Sequence, residues 1–265
     1  TVEVTAKTAI ERVRAEGDRA LIALTAEYDR FEVSSMEELT VSPGKCLEAY
    51  ERLANSDRKA LEEAATRIKS FHETEIDESF ETVDEYGNFL GYRVTAIQHV
   101  GVYVPGGQAA YPSSVLMTVI PARIAGVREI TAVVPAPMGE CNRHVLAAMH
   151  VAEVDRIYTI GGAQAIAALA YGTETVKSVD KIVGPGGAFV AAAKRLVFGP
   201  VGIDAIAGPT EILIVADGSV SARWTALDLC AQAEHDPTAQ AILISPHKSH
   251  VEAVRRELEE IVPGL

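Results

Sequence analysis

From residue 100 to the C-terminal region, short apolar segments alternate with segments of helical periodicity, and this alternation constrains the fold more than any other feature. The predicted strands are 100–104, 129–135, 155–162, 180–187, 211–217 and 240–246. The predicted helices begin near Ser113 or Ser114 and at 142–152, 163–171, 188–198, 221–234 and 248–261. Short apolar strands that alternate with helices are typical of parallel sheets covered by helices. The sequence therefore predicts an α/β fold.

The alternation is interrupted once, at 199–209, where glycine, proline and small residues predominate. We predict a domain boundary there, with one sheet in 101–208 and a second domain, 209–265, whose sheet starts at Glu211. Only two strands follow the boundary, and two strands with two helices do not bury a doubly wound core alone. The second sheet is therefore expected to recruit the N-terminal region, or residues outside this sequence.

Residues 1–100 are predicted to form a helical region followed by a β-hairpin. The predicted elements are helices at 5–28 (interrupted at Gly17) and 55–73, and two strands within 79–104 around a turn near 86–88. Ser42 before Pro43 indicates a further helix start, because serine caps a helix and proline suits its first position.

Composition excludes several classes of function. Lys and Arg number 24 against 37 Asp and Glu, a net charge of −13, which argues against binding to nucleic acid or to an anionic membrane. The three cysteines are odd in number and lack metal-site spacing, which favours reduced thiols in a cytosol. No apolar run has the length of a membrane span, and no signal peptide opens the sequence. A cytoplasmic protein is expected.

Glycine occurs in four connections at the ends of predicted strands. These connections are 105–107, 161–162, 184–187 and 208–209. In open α/β sheets ligands bind at the carboxyl ends of the strands, but glycine pairs also serve as tight turns. No G-x-G-x-x-G motif is present. Tyr103, at a strand end, and Gln164, at a helix start, could contact an adenine or a ribose. Equally, they could be a core tyrosine and an ordinary helix-start amide.

A second candidate site lies at the end of the helix within 224–236, which Pro237 terminates. Gln232 and His235 are three residues apart, so on a helix they would project from the same face. The pair could hold a metal ion or a polar substrate, or could be solvated side chains at a helix end.

Six segments together resemble the histidinol dehydrogenase family, most closely over 98–245. They read VGVYVPGG, AYPSSVLMTVIPARIAGV, GGAQAIAALAYGTE, KIVGPGGAFVAAAKR, AGPTEILIVAD and QAEHDPTAQAILIS. The resemblance implies two incomplete Rossmann-like domains, one inserted within the other, so that 1–100 and 209–265 would share a discontinuous domain. It also implies a homodimer that oxidises L-histidinol, a small amino alcohol, to L-histidine through the aldehyde, with NAD as oxidant and zinc holding the substrate.

The resemblance also implies roles for individual residues. Gln232 and His235 would be zinc ligands, and Thr210, where the family has a serine, would join them in contacting the substrate. Tyr103 and Gln164 would contact NAD. Gly187 occupies the position of a third NAD contact, an asparagine in the family, so the amide of that contact is absent here.

The family's general-base histidine and its other two zinc ligands would fall beyond Leu265, so no catalytic base is assigned within this sequence. The 265 residues alone are therefore expected to be inactive or very weakly active. Two alternatives stay open: a related dehydrogenase of another small polar alcohol, and a non-catalytic scaffold with this fold.

Overall fold

The computed structural model describes residues 1–106, 111–206, 210–234 and 239–264, and the chain forms two compact units, Thr1–Ile206 and Ala207–Leu265. The helices of the first unit are α1 (Val2–Glu16), α2 (Asp18–Asp29), α3 (Pro43–Glu51), α4 (Asn55–His72), α5 (Pro112–Ile124), α6 (Arg143–Val151), α7 (Gly162–Tyr171) and α8 (Ala188–Val197). Its strands are β1 (Thr40–Val41), β2 (Phe80–Val83), β3 (Phe89–Tyr92), β4 (His99–Tyr103), β5 (Glu129–Val133), β6 (Arg156–Tyr158), β7 (Lys181–Val183) and β8 (Gly202–Ile203).

A six-stranded sheet in the order β1-β6-β5-β4-β7-β8 organises the first unit. Neighbouring strands are parallel except for β1, which pairs with β6 in the antiparallel direction. The predicted parallel sheet flanked by helices is thus confirmed. Strand order reverses beside β4, which places a crevice between the carboxyl ends of β4 and β7.

Helices cover both faces of this sheet because the strand residues alternate in direction. Val100 and Val102 of β4 belong to the apolar core shared with α3, α4, α5 and α6. Tyr103, on the opposite side of the same strand, belongs to the core shared with α1, α2, α7 and α8. The functional candidates Tyr103 and Gln164 therefore lie on the α7–α8 side.

The N-terminal helices pack on the helices that cover this sheet. The small side chains Ala6 and Ala9 let α1 approach α7 and α8 closely, and β1 extends the sheet at one edge. The assignment of residues 1–100 to a domain shared with 209–265 stays a prediction. Participation of the N-terminal region in the second sheet stays a prediction.

The predicted hairpin is present as β2 and β3, a separate antiparallel pair. Its turn is stabilised by Asp84, whose carboxylate accepts hydrogen bonds from the backbone N–H groups of Tyr86 and Asn88 at 2.9 and 2.8 Å. Asparagine and aspartate stabilise turns in this way.

The second unit contains β9 (Glu211–Val215), α9 (Ala222–Ala233), β10 (Gln240–Ile244) and α10 (Lys248–Ile261). The two strands are parallel, and one face of the pair packs on Ala226, Leu229 and Val254 of the helices. The other face leaves apolar side chains exposed, namely Leu213, Val215, Ile242 and Ile244. None of the helices in the described parts of the chain is long and apolar enough to cross a membrane.

Candidate functional site

Tyr103 joins the end of β4 to the start of α7. Its ring is buried (5% exposed), and its hydroxyl oxygen accepts a hydrogen bond from the Gly162 N–H at 3.1 Å. Gly162 is the first residue of α7, so this bond satisfies one N–H that has no partner within the helix. Burial raises the pKa of Tyr103 to about 12, so the hydroxyl is protonated at neutral pH. Tyr103 is a core residue whose hydroxyl also reaches the site.

Gln164 lies in the first turn of α7 and is 2% exposed, yet its side-chain amide makes no hydrogen bond to any described residue. It lines a cavity of about 230 Å³ together with residues of α1, α2, α7 and α8. The lining residues are Thr5, Ala9, Tyr28, Asp29, Gly162, Ala163, Gln164 and Phe189. A polar ligand in this cavity would supply the missing partner.

Asp29, at the end of α2, lines the same cavity and was not singled out from the sequence. Its Oδ2 atom is buried without a hydrogen-bond partner among the described residues, and burial raises the pKa of its carboxyl group. In the sequence Asp29 is an ordinary acidic residue at a helix end. Only the packing of α2 against α7 brings it to the cavity.

Most glycines in the turns are required by close backbone packing. Gly184 has φ +112°, and a Cβ there would lie 2.2 Å from the carbonyl oxygen of Tyr103. A Cβ at Gly161 would lie 2.5 Å from Cβ of Pro135. Gly187 is different: its φ is −66°, and a Cβ would meet no described atom within 4 Å. Space for the asparagine side chain that the resemblance places here is therefore available.

Lys194 and Asp204 hold the turn after β7 and were also missed in the sequence. Lys194, 3% exposed, forms an ion pair with Asp204 and donates a hydrogen bond to the carbonyl oxygen of Gly184 at 3.0 Å. Asp204 accepts a hydrogen bond from the Gly184 N–H at 2.7 Å. The pair thus fixes both sides of Gly184. The sequence feature that could have revealed Lys194 is its place within the largely apolar run AAAKRLV.

In the second unit, Thr210 is exposed immediately before β9, and Gln232 is half-buried in the last turn of α9. A helix that connects two parallel strands runs back along them, so the C-terminal end of α9 returns to the edge where β9 and β10 begin. Thr210 and Gln232 therefore share one edge of this unit.

His235, the other predicted metal ligand, lies outside the described residues. Among the residues that the structure describes, no group of three or more His, Cys, Asp or Glu side chains could hold a metal ion. Zinc sites in proteins normally use three or four such ligands. The described side chains therefore do not fit a zinc site by themselves, and the predicted metal roles of Gln232 and His235 stay predictions.

Comparison with known proteins identifies the family. The sequence model of the histidinol dehydrogenase family matches residues 1–265. The chain is 51% identical to a histidinol dehydrogenase of Nitrosomonas europaea over 264 residues, all of this chain and 61% of that protein. It is 54% identical to one from Acinetobacter baylyi over 256 residues, 97% of this chain and 60% of that protein.

The same relationship holds in three dimensions. A crystal structure of histidinol dehydrogenase from Elizabethkingia anophelis matches with a TM-score of 0.90 at 32% identity, over all of this chain and 61% of that chain. The chain thus spans about three fifths of the length of these relatives. With a family match along its entire length, the chain belongs to the histidinol dehydrogenase family.

Proposed function

We propose that this chain forms the dinucleotide-binding part of a histidinol dehydrogenase, an oxidoreductase that converts L-histidinol to L-histidine through the aldehyde in two NAD-dependent steps. The observation that carries the proposal is Gln164 at the start of α7, a residue with 2% exposure that lines the cavity and makes no hydrogen bond to a described residue. Family membership supports the reaction, and histidine biosynthesis would be its setting.

The residues around the cavity suit a dinucleotide. The first turns of α7 and α8 border it, and helix N-termini favour phosphate groups. Tyr103 accepts a bond from Gly162 but donates its own hydroxyl proton to no described residue, so it can donate to a ligand oxygen. Gln164 can both donate to and accept from a ribose or an adenine. When bound, one NAD⁺ would accept a hydride from the alcohol, and a second NAD⁺, bound after NADH has left, would accept a hydride from the hydrated aldehyde.

For the second unit we propose that Thr210, Gln232 and His235 contact the substrate, and that Gln232 and His235 contribute to a zinc site. The resemblance and the shared edge of Thr210 and Gln232 support this assignment. The remaining ligands and the general base would come from residues outside these 265. Metal analysis of the purified chain, with Gln232→Ala as the variant, tests it: zinc that is bound in equal amounts by both proteins would contradict the role of Gln232.

A calorimetric titration with NAD⁺ tests the main proposal. We expect the unaltered chain to bind and Gln164→Ala to bind about tenfold more weakly, because one hydrogen bond from a buried amide is lost. Gln98→Ala is the matched control, since Gln98 is exposed and distant in sequence from the cavity residues. Absence of binding by the unaltered chain would refute the proposal.

One observation favours a second candidate, a scaffold that has the fold but does not bind NAD. Gly187 lacks the amide of the family's asparagine although the structure has room for it. The same titration separates the two candidates. A panel of small polar alcohols, assayed with the full-length protein, would separate histidinol from the substrate of a related dehydrogenase. Homodimer formation and a cytoplasmic location belong to the proposal, and light scattering of the purified protein tests the former.

A further inference from the structure

A buried lysine lies on the apolar side of α8. Lys194 is 3% exposed, and Ala192, Ala193 and Val197 of the same helix are buried beside it. It forms an ion pair with Asp204, which follows β8, the strand that pairs with β7. Replacing a buried ion pair by apolar residues is often neutral or stabilising. Stability alone therefore does not account for a lysine at this position.

The ion pair holds both backbone polar groups of one residue, Gly184. Nζ of Lys194 donates a hydrogen bond to the Gly184 carbonyl oxygen at 3.0 Å, and Oδ2 of Asp204 accepts one from the Gly184 N–H at 2.7 Å. Lys194 lies in the last turn of α8, and helical side chains lean towards the N-terminus of their helix, so its long side chain reaches back to this turn. Hydrogen bonds that involve a charged group are stronger than those between neutral groups.

The turn that Gly184 begins is packed tightly between β4 and α8. A Cβ at Gly184 would lie 2.2 Å from the carbonyl oxygen of Tyr103, and a Cβ at Gly186 would lie 2.4 Å from Cγ1 of Val190. The next residue, Gly187, is the N-cap of α8. The place at which Gly184 is held therefore determines where α8 begins and where the N–H groups of its first turn point.

We infer that Lys194 and Asp204 are positioning residues: by holding Gly184 they set the N-terminus of α8, and through it the affinity of the first unit for NAD⁺. The inference rests on the proposed NAD function and adds to it two residues that act through the turn rather than by contact with the cofactor. Asp204 lies near the end of the first unit, so the same pair also fixes the segment by which the chain leaves that unit towards Thr210.

Calorimetric titration of the 265-residue chain with NAD⁺ tests the inference on Lys194→Met, Asp204→Ala and the double variant. Each single replacement is expected to weaken binding roughly tenfold, because the first turn of α8 is no longer held towards the phosphates. The double variant should bind about as weakly as either single variant, since both residues act through one turn. Arg195→Met, which removes the same charge from the next residue of α8, an exposed one, should match the unaltered chain.

The sign of the Asp204→Ala effect separates positioning from simple electrostatics. NAD⁺ carries negatively charged phosphates, so removing a nearby carboxylate would strengthen binding if charge alone mattered. Positioning predicts weaker binding instead. Asp204→Asn retains a side-chain oxygen for the Gly184 N–H and should fall between Asp204→Ala and the unaltered chain. Because Asp204 is partly exposed, this variant keeps the test available if Lys194→Met does not fold.

A second control separates positioning from a general loss of stability. Ile130→Val shortens a fully buried side chain in the core on the opposite face of the sheet. It should lower Tm in differential scanning calorimetry and leave the NAD⁺ affinity of the folded chain unchanged. If Ile130→Val weakened NAD⁺ as much as Lys194→Met does, at a temperature at which both are folded, the inference would be overturned.

The remaining outcomes distinguish this inference from the proposed function. Binding by the unaltered chain together with equal affinities in Lys194→Met and Asp204→Ala would overturn the positioning role and leave the NAD proposal standing. Tighter binding by Asp204→Ala would do the same. If the unaltered chain did not bind NAD⁺, both proposals would fall.

Discussion

Replacing Gly187 with asparagine tests the candidate site and its energetics together. Gly187 is the N-cap of α8, with φ −66° and ψ −177°, a conformation open to any residue. A Cβ there would meet no described atom within 4 Å, so the new side chain causes no overlap with described residues. An asparagine side chain at the N-cap can accept a hydrogen bond from an N–H in the first turn of the helix.

The expected gain in stability follows from two contributions. Asparagine is a better N-cap than glycine by a few tenths of a kcal/mol, and loss of glycine flexibility in the unfolded chain adds about 0.4–1 kcal/mol. The sum is about 1 kcal/mol, which raises Tm by about 2–4 °C for a unit of this size. If the amide also contacts NAD, one neutral hydrogen bond of about 1 kcal/mol strengthens binding about fivefold.

Differential scanning calorimetry and an NAD⁺ titration measure the two effects separately. Gly184→Asn, three residues earlier, is the matched control, and it should lower Tm. Its φ is +112°, and its Cβ would lie 2.2 Å from the Tyr103 carbonyl oxygen. A lower Tm for Gly187→Asn would refute the steric reasoning. A higher Tm with unchanged NAD⁺ affinity would refute the expected contact with the cofactor.

Three further changes have defined outcomes. Because burial raises the pKa of Tyr103 to about 12, its protonated form stabilises the fold fully below pH 10, and this stabilisation is lost as pH rises towards 12. In denaturant unfolding, Tyr103→Phe should therefore lose less stability at alkaline pH than the unaltered chain does. At neutral pH it should cost about 1 kcal/mol, because the Gly162 N–H is left unpaired. Burial also raises the pKa of Asp29 above 3.8, so its charged form destabilises the folded state at neutral pH and this penalty disappears as the group is protonated in acid. Asp29→Asn should therefore have a higher Tm than the unaltered chain at pH 7, and the difference in Tm should shrink as the pH falls towards 3.8. Lys194→Met should cost about 1–3 kcal/mol in urea unfolding, because it leaves the carbonyl oxygen of Gly184 without its buried donor and the exposed carboxylate of Asp204 without its cation. An unchanged midpoint would contradict a role for the pair in holding its turn.

The sequence predicted the regular elements well because local chemistry determines them. Ser42 accepts a hydrogen bond from the Lys45 N–H at the start of α3, as capping chemistry requires, and Gly17 separates α1 from α2. Strands β1 and β8 were not predicted. Each has two residues, too few for a periodic pattern, and each is defined by pairing with a strand that is distant in sequence.

The candidate site was predictable only in part, for a related reason. Tyr103 and Gln164 could be placed at a strand end and a helix start from local patterns, and the resemblance supplied their roles. Asp29 and Lys194 carry no local signal of that kind. Asp29 reaches the cavity through the packing of α2 on α7, and Lys194 reaches Gly184 from α8, which packs on α1 and α7.

Some buried polar groups in the first unit are hydrogen-bonded and others have no described partner, and one of the unpaired groups belongs to a residue that lines the cavity. His99 and Lys194 are fully engaged: His99 contacts the carbonyl oxygen of Ser178 at 3.0 Å and Thr131 at 2.9 Å, and Lys194 is paired as described above. The buried side-chain atoms left without a partner in the described part of this unit are Oγ1 of Thr25 and Oδ2 of Asp29, both in the second half of α2. Because unpaired buried groups lower stability, a ligand that pairs with Asp29 recovers that cost when it binds. NAD⁺ at a concentration 100 times Kd should then add about 2.7 kcal/mol to the free energy of unfolding and so raise Tm. Asp29→Ala should need a higher NAD⁺ concentration for the same shift in Tm, in proportion to the increase in its Kd.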